Sequence, residues 1–431
     1  MEITHNRRQI IYFGGDLFFL FLALGITLFL RHLSWPSWER WQEHFIPFSI
    51  LFGVWLFVFY VAGLYEKETL IFQKKFPLLL FQVQVVNIII AVFFFYLFPI
   101  FQLTPKTILF IYLLVSFVLI LSWRLTMSKK IKPLGPEKEI LIIGEGADLE
   151  ELILELNENP LYNLKVKRSA ILEAKEVATV IADLRSEKAK KIIPNLYELL
   201  LSGVSVIDAE KLFEDVFERI PLSFLEKQWF LENISSAHHS TYDLTKRMID
   251  IAFSLLIGAF SLILYPFVIL AIKIEDGSPF FIIQERVGQG GKIIKILKFR
   301  SMKVNDPGVW VKEKDERITV VGQILRKTRI DELPQLYNVL KGDLSLIGPR
   351  PDMIALKEEL EKEIPYYNIR GVVKPGLSGW AQVNQDSPPQ SIQETKKRLM
   401  YDLYYLKNRS LILDLKILLR TLSILASRSG K

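Results

Sequence analysis

The segment SLLIGAFSLILYPFVILAIK, residues 254–273, is apolar enough to cross a membrane, yet Pro266 interrupts it. Whether it spans the bilayer or enters and turns back decides on which side the residues after it lie. Lys246 and Arg247 precede the segment and Lys273 closes it. Arg286, Lys292, Lys295, Lys298 and Arg300 follow. Lysine and arginine accumulate on the cytoplasmic side of membrane segments, so both flanks read as cytoplasmic. A single straight span would put one of them outside. Proline removes a helical hydrogen bond and clashes with the preceding turn, which predicts a kink at Tyr265–Pro266. A helix broken there can enter from the cytoplasm, bend and return, provided the freed backbone groups find partners in protein or water. A kinked but fully spanning helix is the alternative, and the charged flanks favour re-entry.

The rest of the chain is consistent with a membrane setting. Half of the 431 residues are hydrophobic, 30 are Phe, and the net charge is +7. Such a charge suits nucleic acid or an anionic membrane surface. The apolar content points to the membrane, and no nucleic-acid partner is expected. With no cysteine, disulfides, Cys-ligated zinc and thiol catalysis are excluded. Four apolar runs, at about 10–30, 45–64, 77–101 and 107–123, each approach the ~20 residues of a spanning helix. The first follows MEITHNRRQI with no small-residue cleavage site, so it reads as a retained helix rather than a signal peptide. Arg7, Arg8, Lys67, Lys74, Lys75, Arg124, Lys129, Lys130 and Lys132 fall on one side of this bundle. Only Arg31, Arg40 and Lys106 fall on the other, with Trp35, Trp38 and Trp41 as interfacial aromatics. Both ends of the bundle, residues 1–128, therefore face the cytoplasm.

KKIKPLGPEKE (129–139) has the composition of a linker. An α/β pattern follows over 136–236. EILIIGEG reads as a strand entering a Gly turn, ADLEELILELNEN as an amphipathic helix, and ATVIADL and VSVID as buried strands flanking a Lys-rich helix. The turn lacks the third glycine of a dinucleotide site, and LKVKR ends in bases where an acid would hold a ribose. These features describe a degenerate Rossmann-like scaffold without bound nucleotide.

The chemistry lies further on. GSPFFIIQERVGQGGKIIKILKFRSM (277–302) reads as a turn and two strands around a Gly-rich hairpin, ending at Lys298, Arg300 and Ser301. ITVVGQILRKTRIDELPQLYNVLKGDLSLIGPRP (318–351) brings Arg326, Lys327 and Arg329 ahead of Asp331 and Glu332, then a Gly-Pro-Arg-Pro turn. Acids in a helix's first turn commonly just complement its dipole. Acids among several cations suit phosphoryl transfer from a pyrophosphate, where Arg, Lys or Mg²⁺ neutralises the charge on the leaving group. Mg²⁺ needs few carboxylates and takes water and phosphate oxygens besides. Adjacent helical residues point about 100° apart, so one acid can face phosphorus as nucleophile while its neighbour holds metal or a proton.

Residues 241–425 resemble the catalytic domain of the bacterial sugar transferases, the monotopic phosphoglycosyl transferases. The matching stretches are KRMIDI, FFIIQERVGQGGK, KFRSM, LRKTRIDELPQLYNVLKGDLSLIGPRP, VKPGLSGWAQVN and YDLYYLKNRSLILDLKILLRT. With four spans and a Rossmann-like middle, the whole chain resembles the large, polyprenyl glycosylphosphotransferase form. The resemblance implies transfer of a hexose-1-phosphate from a UDP-hexose to undecaprenyl phosphate, with release of UMP, as the first membrane step of a polysaccharide. It implies Asp331 as a nucleophile carrying a covalent phosphosugar, and Glu332 as a Mg²⁺ ligand or positioning group. Lys298, Arg300, Arg326, Arg350 and Gln382 fall at positions that contact phosphates or nucleotide, and Pro266 falls at the break of a re-entrant helix. A homodimer is implied by resemblance alone. QDSPPQS after WAQVN departs from the Gly-containing loop of many relatives, which bears on donor choice.

The expected protein is thus a bacterial inner-membrane enzyme of α plus α/β class. It has a four-helix transmembrane bundle (1–128), a Rossmann-like middle domain (136–236) and a catalytic α/β domain (241–431) with a re-entrant helix at 248–272. The amphipathic stretch 393–420 is suited to the membrane surface. The rival reading is a non-catalytic membrane scaffold for polysaccharide assembly, disfavoured because nucleophile, metal partner and phosphate clamps occur together.

Overall fold

The computed structural model describes residues 2–65, 76–98, 106–130, 138–159, 164–168, 179–184, 187–234, 240–277, 279–303, 317–385 and 387–426. The bases counted above at Lys67, Lys74, Lys75 and Lys132 lie outside them, as does most of the 129–139 linker. The chain divides into two compact units, Met1–Pro136 and Glu137–Lys431.

The first unit holds helices α1 (Glu2–His32), α2 (Trp38–Val61), α3 (Phe76–Leu97) and α4 (Lys106–Lys130). Each contains a stretch long and apolar enough to cross a membrane: Ile10–His32, Trp38–Val61, Leu79–Leu97 and Thr107–Met127. Phe48, Phe52, Trp55 and Tyr112 form a buried aromatic core with ring centroids 5.3–6.4 Å apart. Arg124 belongs to the interior rather than to the solvated flank. It pairs with Asp16, and both are almost fully buried. Its Nε donates to Asp16 Oδ1 at 3.0 Å and its Nη1 to the Leu64 carbonyl at 3.0 Å, while Tyr65 donates its hydroxyl to Asp16 at 2.9 Å. The guanidinium also lies over the Tyr12 and Tyr65 rings. An intramembrane charge is tolerated only when paired in this way.

The second unit opens with a parallel four-stranded sheet, built from β1 (Lys138–Ile143), β2 (Leu164–Arg168), β3 (Thr179–Ala182) and β4 (Ser205–Asp208) in the order β2-β1-β3-β4. Helices α5 (Ala147–Glu158), α6 (Glu187–Leu201) and α7 (Ala209–Phe217) accompany it. Leu149, Leu152 and Leu156 recur at helical spacing on α5 and bury against Ile140, Ile142 and Phe213. Strands and helices fall where the apolar patterning places them. After α8 (Lys227–Asn233), helices α9 (Ser240–Ser261) and α10 (Tyr265–Asp276) meet at 58°. The break falls at residues 262–264, just ahead of the expected kink, and Pro266 lies in the first turn of α10. A helix's first N–H groups have no intrahelical partner, so proline costs little there. Phe260, Leu262, Ile263 and Phe267 around the bend are exposed.

The root of α9 is tied down by polar contacts. Arg247 donates to the carbonyls of Val339 and Leu340 at 2.6 and 2.7 Å, Asp250 accepts from the Leu346 N–H at 3.0 Å, and Lys246 pairs with Asp414 at 2.8 Å. Strands β5 (Phe281–Val287) and β6 (Ile293–Phe299) form an antiparallel hairpin. Then come α11 (Val320–Thr328), a 3₁₀ turn (Ile330–Gln335), α12 (Leu336–Lys341), β7 (Ser345–Ile347) and α13 (Ile354–Glu363). The order closes with β8 (Gly376–Ser378), α14 (Trp380–Asn384), α15 (Ile392–Lys407) and α16 (Leu411–Ala426). Strand β8 pairs in parallel with β7.

Replacing Asp16 with Leu leaves the Arg124 charge buried alone, and this is expected to cost about 3–5 kcal/mol of stability. Asp16→Leu/Arg124→Leu should recover most of that loss. Thermal unfolding in detergent measures both. Wild-type stability of the single variant would show that the pair does not carry the bundle.

Candidate active site

The site is assembled from three short segments that backbone contacts hold in register. Strand β6 delivers Lys298 at its end, opposite Ile282 of β5. The chain then passes Ser301, whose carbonyl accepts from the Thr319 N–H at 3.3 Å. Thr319 caps α11 by accepting from the Gly322 N–H at 2.9 Å. Gly322 sits so close to Ser301 that a Cβ would lie 2.0 Å from its carbonyl oxygen, so a side chain has no room there. Helix α11 carries Arg326 and ends at Arg329, which adopts the left-handed conformation at φ 57°. That reversal turns the chain into the 3₁₀ segment carrying Asp331 and Glu332.

Asn338, 2% exposed, fixes this segment against β6. Its amide donates to the Lys295 carbonyl at 2.7 Å and accepts from the Leu297 N–H at 3.1 Å, a two-point clamp on the strand backbone just before Lys298. The third segment, Gly-Pro-Arg-Pro after β7, is held by Gly348 N–H to the Ser378 carbonyl at 2.8 Å and by Gly376 N–H to the Pro349 carbonyl at 2.9 Å. The two strands approach so closely here that a Cβ on Gly376 would lie 2.1 Å from the Gly348 nitrogen.

The result is an acidic pair inside a ring of cations. Glu332 Oε1 lies 2.8 Å from Arg350, 3.4 Å from Arg329 and 3.8 Å from Lys298. Burial works against its charge, yet Arg350, Lys298 and Arg329 together hold it well below the usual carboxylate range. Asp331 is 8% exposed, and its Oδ1 is buried with no hydrogen-bond partner. Burial, reinforced by the neighbouring Glu332 charge, pushes its carboxyl up to about 6 against the pull of Lys298, Arg326 and Arg329. Burial likewise brings the Lys298 ammonium down to about 8, partly countered by Glu332. Two adjacent acids thus have very different proton affinities, a pattern that marks sites of acid–base or nucleophilic chemistry.

Glu332 meets Lys298 and Arg350 directly, whereas Asp331 feels the charges of Lys298, Arg326 and Arg329 without an ion pair to any of them; the Arg326 Nη1 lies 3.3 Å from the Met302 sulfur. Arg300 is 3% exposed at the end of the hairpin, its N–H donating to the Phe280 carbonyl at 2.9 Å. Gln382 turns its Nε2 to the Leu377 carbonyl at 3.0 Å, behind the Gly-Pro-Arg-Pro turn. Arg329 was visible in the sequence only as one of several bases; its three-residue spacing to Glu332 was the available signal. The role of Asn338 had no signal, because its partners are backbone atoms of a distant strand. Among the described residues no group of three or more His, Cys, Asp or Glu side chains could hold a metal. A divalent ion beside Asp331 and Glu332 would therefore complete its shell from substrate oxygens and water.

The turn GEG (144–146) of the parallel sheet has a different character. Helix α5 begins with Asp148 and Glu150 in its first turn, where a phosphate would otherwise sit. Asp148 accepts hydrogen bonds from both the N–H and the hydroxyl of Ser223.

Residues 241–428 match the family model described as bacterial sugar transferase. The chain is 36% identical over 256 residues to the UDP-N-acetylgalactosamine-undecaprenyl-phosphate N-acetylgalactosaminephosphotransferase of Aeromonas hydrophila, which covers 58% of this chain and 59% of that protein. It is 43% identical over 156 residues to the UDP-glucose:undecaprenyl-phosphate glucose-1-phosphate transferase of Escherichia coli, covering 35% and 34%. It is 42% identical over 183 residues to a protein of the same description from Caulobacter vibrioides, covering 42% of this chain and 68% of that one. The chain thus spans 59% and 34% of the lengths of the first two relatives. Identity at this level across 68% of the Caulobacter protein, with a family-model match over 241–428, the segment that carries the acidic pair, means that the chain belongs to the bacterial sugar transferase family.

Proposed function

We propose that this protein transfers a hexose-1-phosphate from a UDP-hexose to undecaprenyl phosphate, with Asp331 as the covalent nucleophile. The observation that carries the reading is the buried Asp331 Oδ1, without a hydrogen-bond partner, beside a Glu332 already paired with three cations. An Asp331 oxygen attacks the phosphorus bearing the sugar. The bond from that phosphorus to the bridging oxygen breaks, and UMP leaves with the bond's electron pair. A phosphate oxygen of the lipid then attacks the same phosphorus, the bond to Asp331 breaks, and the carboxylate is regenerated. Cations are needed most where charge builds on departing UMP, and Lys298, Arg326 and Arg350 are assigned to this role in the present reading. Arg300 and Gln382 remain assigned to the donor site on resemblance alone.

Glu332, held well below the usual carboxylate range by Arg350, Lys298 and Arg329 against the effect of burial, is the carboxylate that orients those cations. The ion pairs of Glu332 all run through Oε1, so Glu332 is the residue that would hold a Mg²⁺ ion, with Asp331 left as the nucleophile. Such an ion would supply further neutralisation of the diphosphate. The parallel sheet is a Rossmann-like scaffold in this reading. The relatives carry glucose in one description and N-acetylgalactosamine in another, so the donor class proposed is a UDP-hexose rather than one sugar.

Chemistry between a water-soluble donor and a bilayer-bound acceptor needs a site at the interface. We infer that α9 and α10 form a re-entrant pair, with the bend at residues 262–264 inside the cytoplasmic leaflet and the α/β part on the cytoplasmic face. The exposed apolar residues at the bend and the tied-down root of α9 support this. A homodimer within the inner membrane belongs to the same proposal. The non-catalytic scaffold reading has no observation in its favour.

Asp331→Asn is expected to abolish UMP release and lipid product together, measured with purified protein, Mg²⁺ and a panel of UDP-sugars; normal turnover would remove Asp331 as the nucleophile. The free enzyme's kcat/KM should follow a bell-shaped pH profile. It rises through about 6 as Asp331 loses its proton and falls through about 8 as Lys298 loses its charge. A profile flat from 5 to 9 would contradict both assignments. Because the chain has no native cysteine, single cysteines placed just before residue 246 and just after residue 275 can be labelled from either side. Both should react from the cytoplasm, whereas reaction of one from each side would make the segment a span.

A further inference from the structure

The Gly-Pro-Arg-Pro turn has an unusual holding problem. Pro349 and Pro351 have no N–H, so the turn between them is anchored through its carbonyls. The Pro349 carbonyl accepts from Gly376 at 2.9 Å. The Arg350 carbonyl accepts from Nη2 of Arg370 at 2.9 Å.

Arg370 is 6% exposed and bonded on every side. Its Nε donates to Asp402 Oδ2 at 2.7 Å, and its Nη1 to Asp352 and to the Tyr367 hydroxyl. Asp352 is also held by Arg398 at 2.6 Å. Two arginines and two aspartates thus form a balanced, buried network. Such networks seldom add net stability, and their attested use is to specify one geometry. Arg398 and Asp402 are four residues apart on α15, on one face. The same helix sends Met400 into the core of the parallel sheet, and Lys407 and Asn408 to Glu214 of α7 at 2.6 and 2.9 Å.

We propose that Arg370, fixed by Asp352 and Asp402, is a positioning residue for Arg350: it sets where the turn lies, and hence how the Arg350 guanidinium meets Glu332, from helix α15. The kinetic consequence rests on the transfer reaction proposed above. The structural consequence does not. Lysine at 370 keeps the charge but offers no fork that reaches Asp402, Asp352 and the Arg350 carbonyl together.

Two measurements on the full chain in nanodiscs test this. Hydrogen exchange is read on peptides covering 345–352, where Gly348 and Ser345 donate to Ser378 and Pro375, and on peptides from α15. Arg370→Lys and Arg370→Gln should speed exchange in 345–352 and leave α15 protected. Unchanged exchange in 345–352 would overturn the proposal. So would loss of protection throughout 137–431, because Arg370 would then hold the fold rather than the turn. Asp402→Asn, which keeps the shape of its side chain, should give a weaker form of the same pattern.

The second measurement is a double-mutant cycle on UMP release. Arg370→Lys should lower kcat by about 10- to 100-fold, the scale of a small misplacement at a reacting centre. Combined with Arg350→Ala it should be no slower than Arg350→Ala alone, since the effect passes through Arg350. Multiplying losses would overturn the proposal. A wild-type protein that releases no UMP would sink the transfer reaction instead, and hydrogen exchange would still decide the positioning.

Discussion

Two negative charges on successive residues of one buried turn repel each other and lose their hydration, so the turn is stable only if cations are brought to it. That requirement organises the second unit. Lys298 comes from a strand end, Arg329 from a helix end, and Arg350 from a turn between two prolines. No one segment could supply all three. The structure meets the demand unequally: Glu332 collects the cations, and Asp331 keeps an unpartnered oxygen. The difference between the two acids follows from position alone, because their side chains are chemically alike.

The elements were largely legible in advance. The apolar runs of the first unit, the α/β alternation of 138–208 and the hairpin before Lys298 all carry periodic signals that survive folding. The acidic pair and most of its cations were legible as a dense charge pattern around DE. What escaped were partners separated by long stretches of chain. Arg124 reads as a flanking base and becomes the buried partner of Asp16, 108 residues away. Arg370 has no neighbour in sequence that hints at Asp402 or the Arg350 carbonyl. Asn338 looks like one more polar residue on a short helix, and only its clamp on Lys295 and Leu297 gives it a purpose. The helix break also shifted, because the least costly place for Pro266 is inside the first turn of the new helix rather than at the bend itself.

The parallel sheet and the transferase part form one compact unit joined by shared side chains. Met400 completes the sheet's core, and the Trp380 indole donates to the Glu218 carbonyl at 2.8 Å. In the first turn of α5, Asp148 accepts from the N–H and the hydroxyl of Ser223. These contacts tie the parallel sheet to the rest of its own unit. Helix α15 benefits, since it gains a firm support on the side away from the Arg370 network.

The contact between Gly348 and Gly376 has a consequence for temperature. Side-chain packing loosens on warming as rotamers begin to interchange, and a site spaced by side chains would spread with it. Here the spacing between the two strands is main chain against main chain, with hydrogen bonds on both sides and no rotamer in between. The distance from β8 to the Arg350 turn is then governed by bond lengths and backbone hydrogen bonds, the stiffest degrees of freedom that a protein has. On this ground the seam should soften later on warming than spacing that depends on side-chain rotamers.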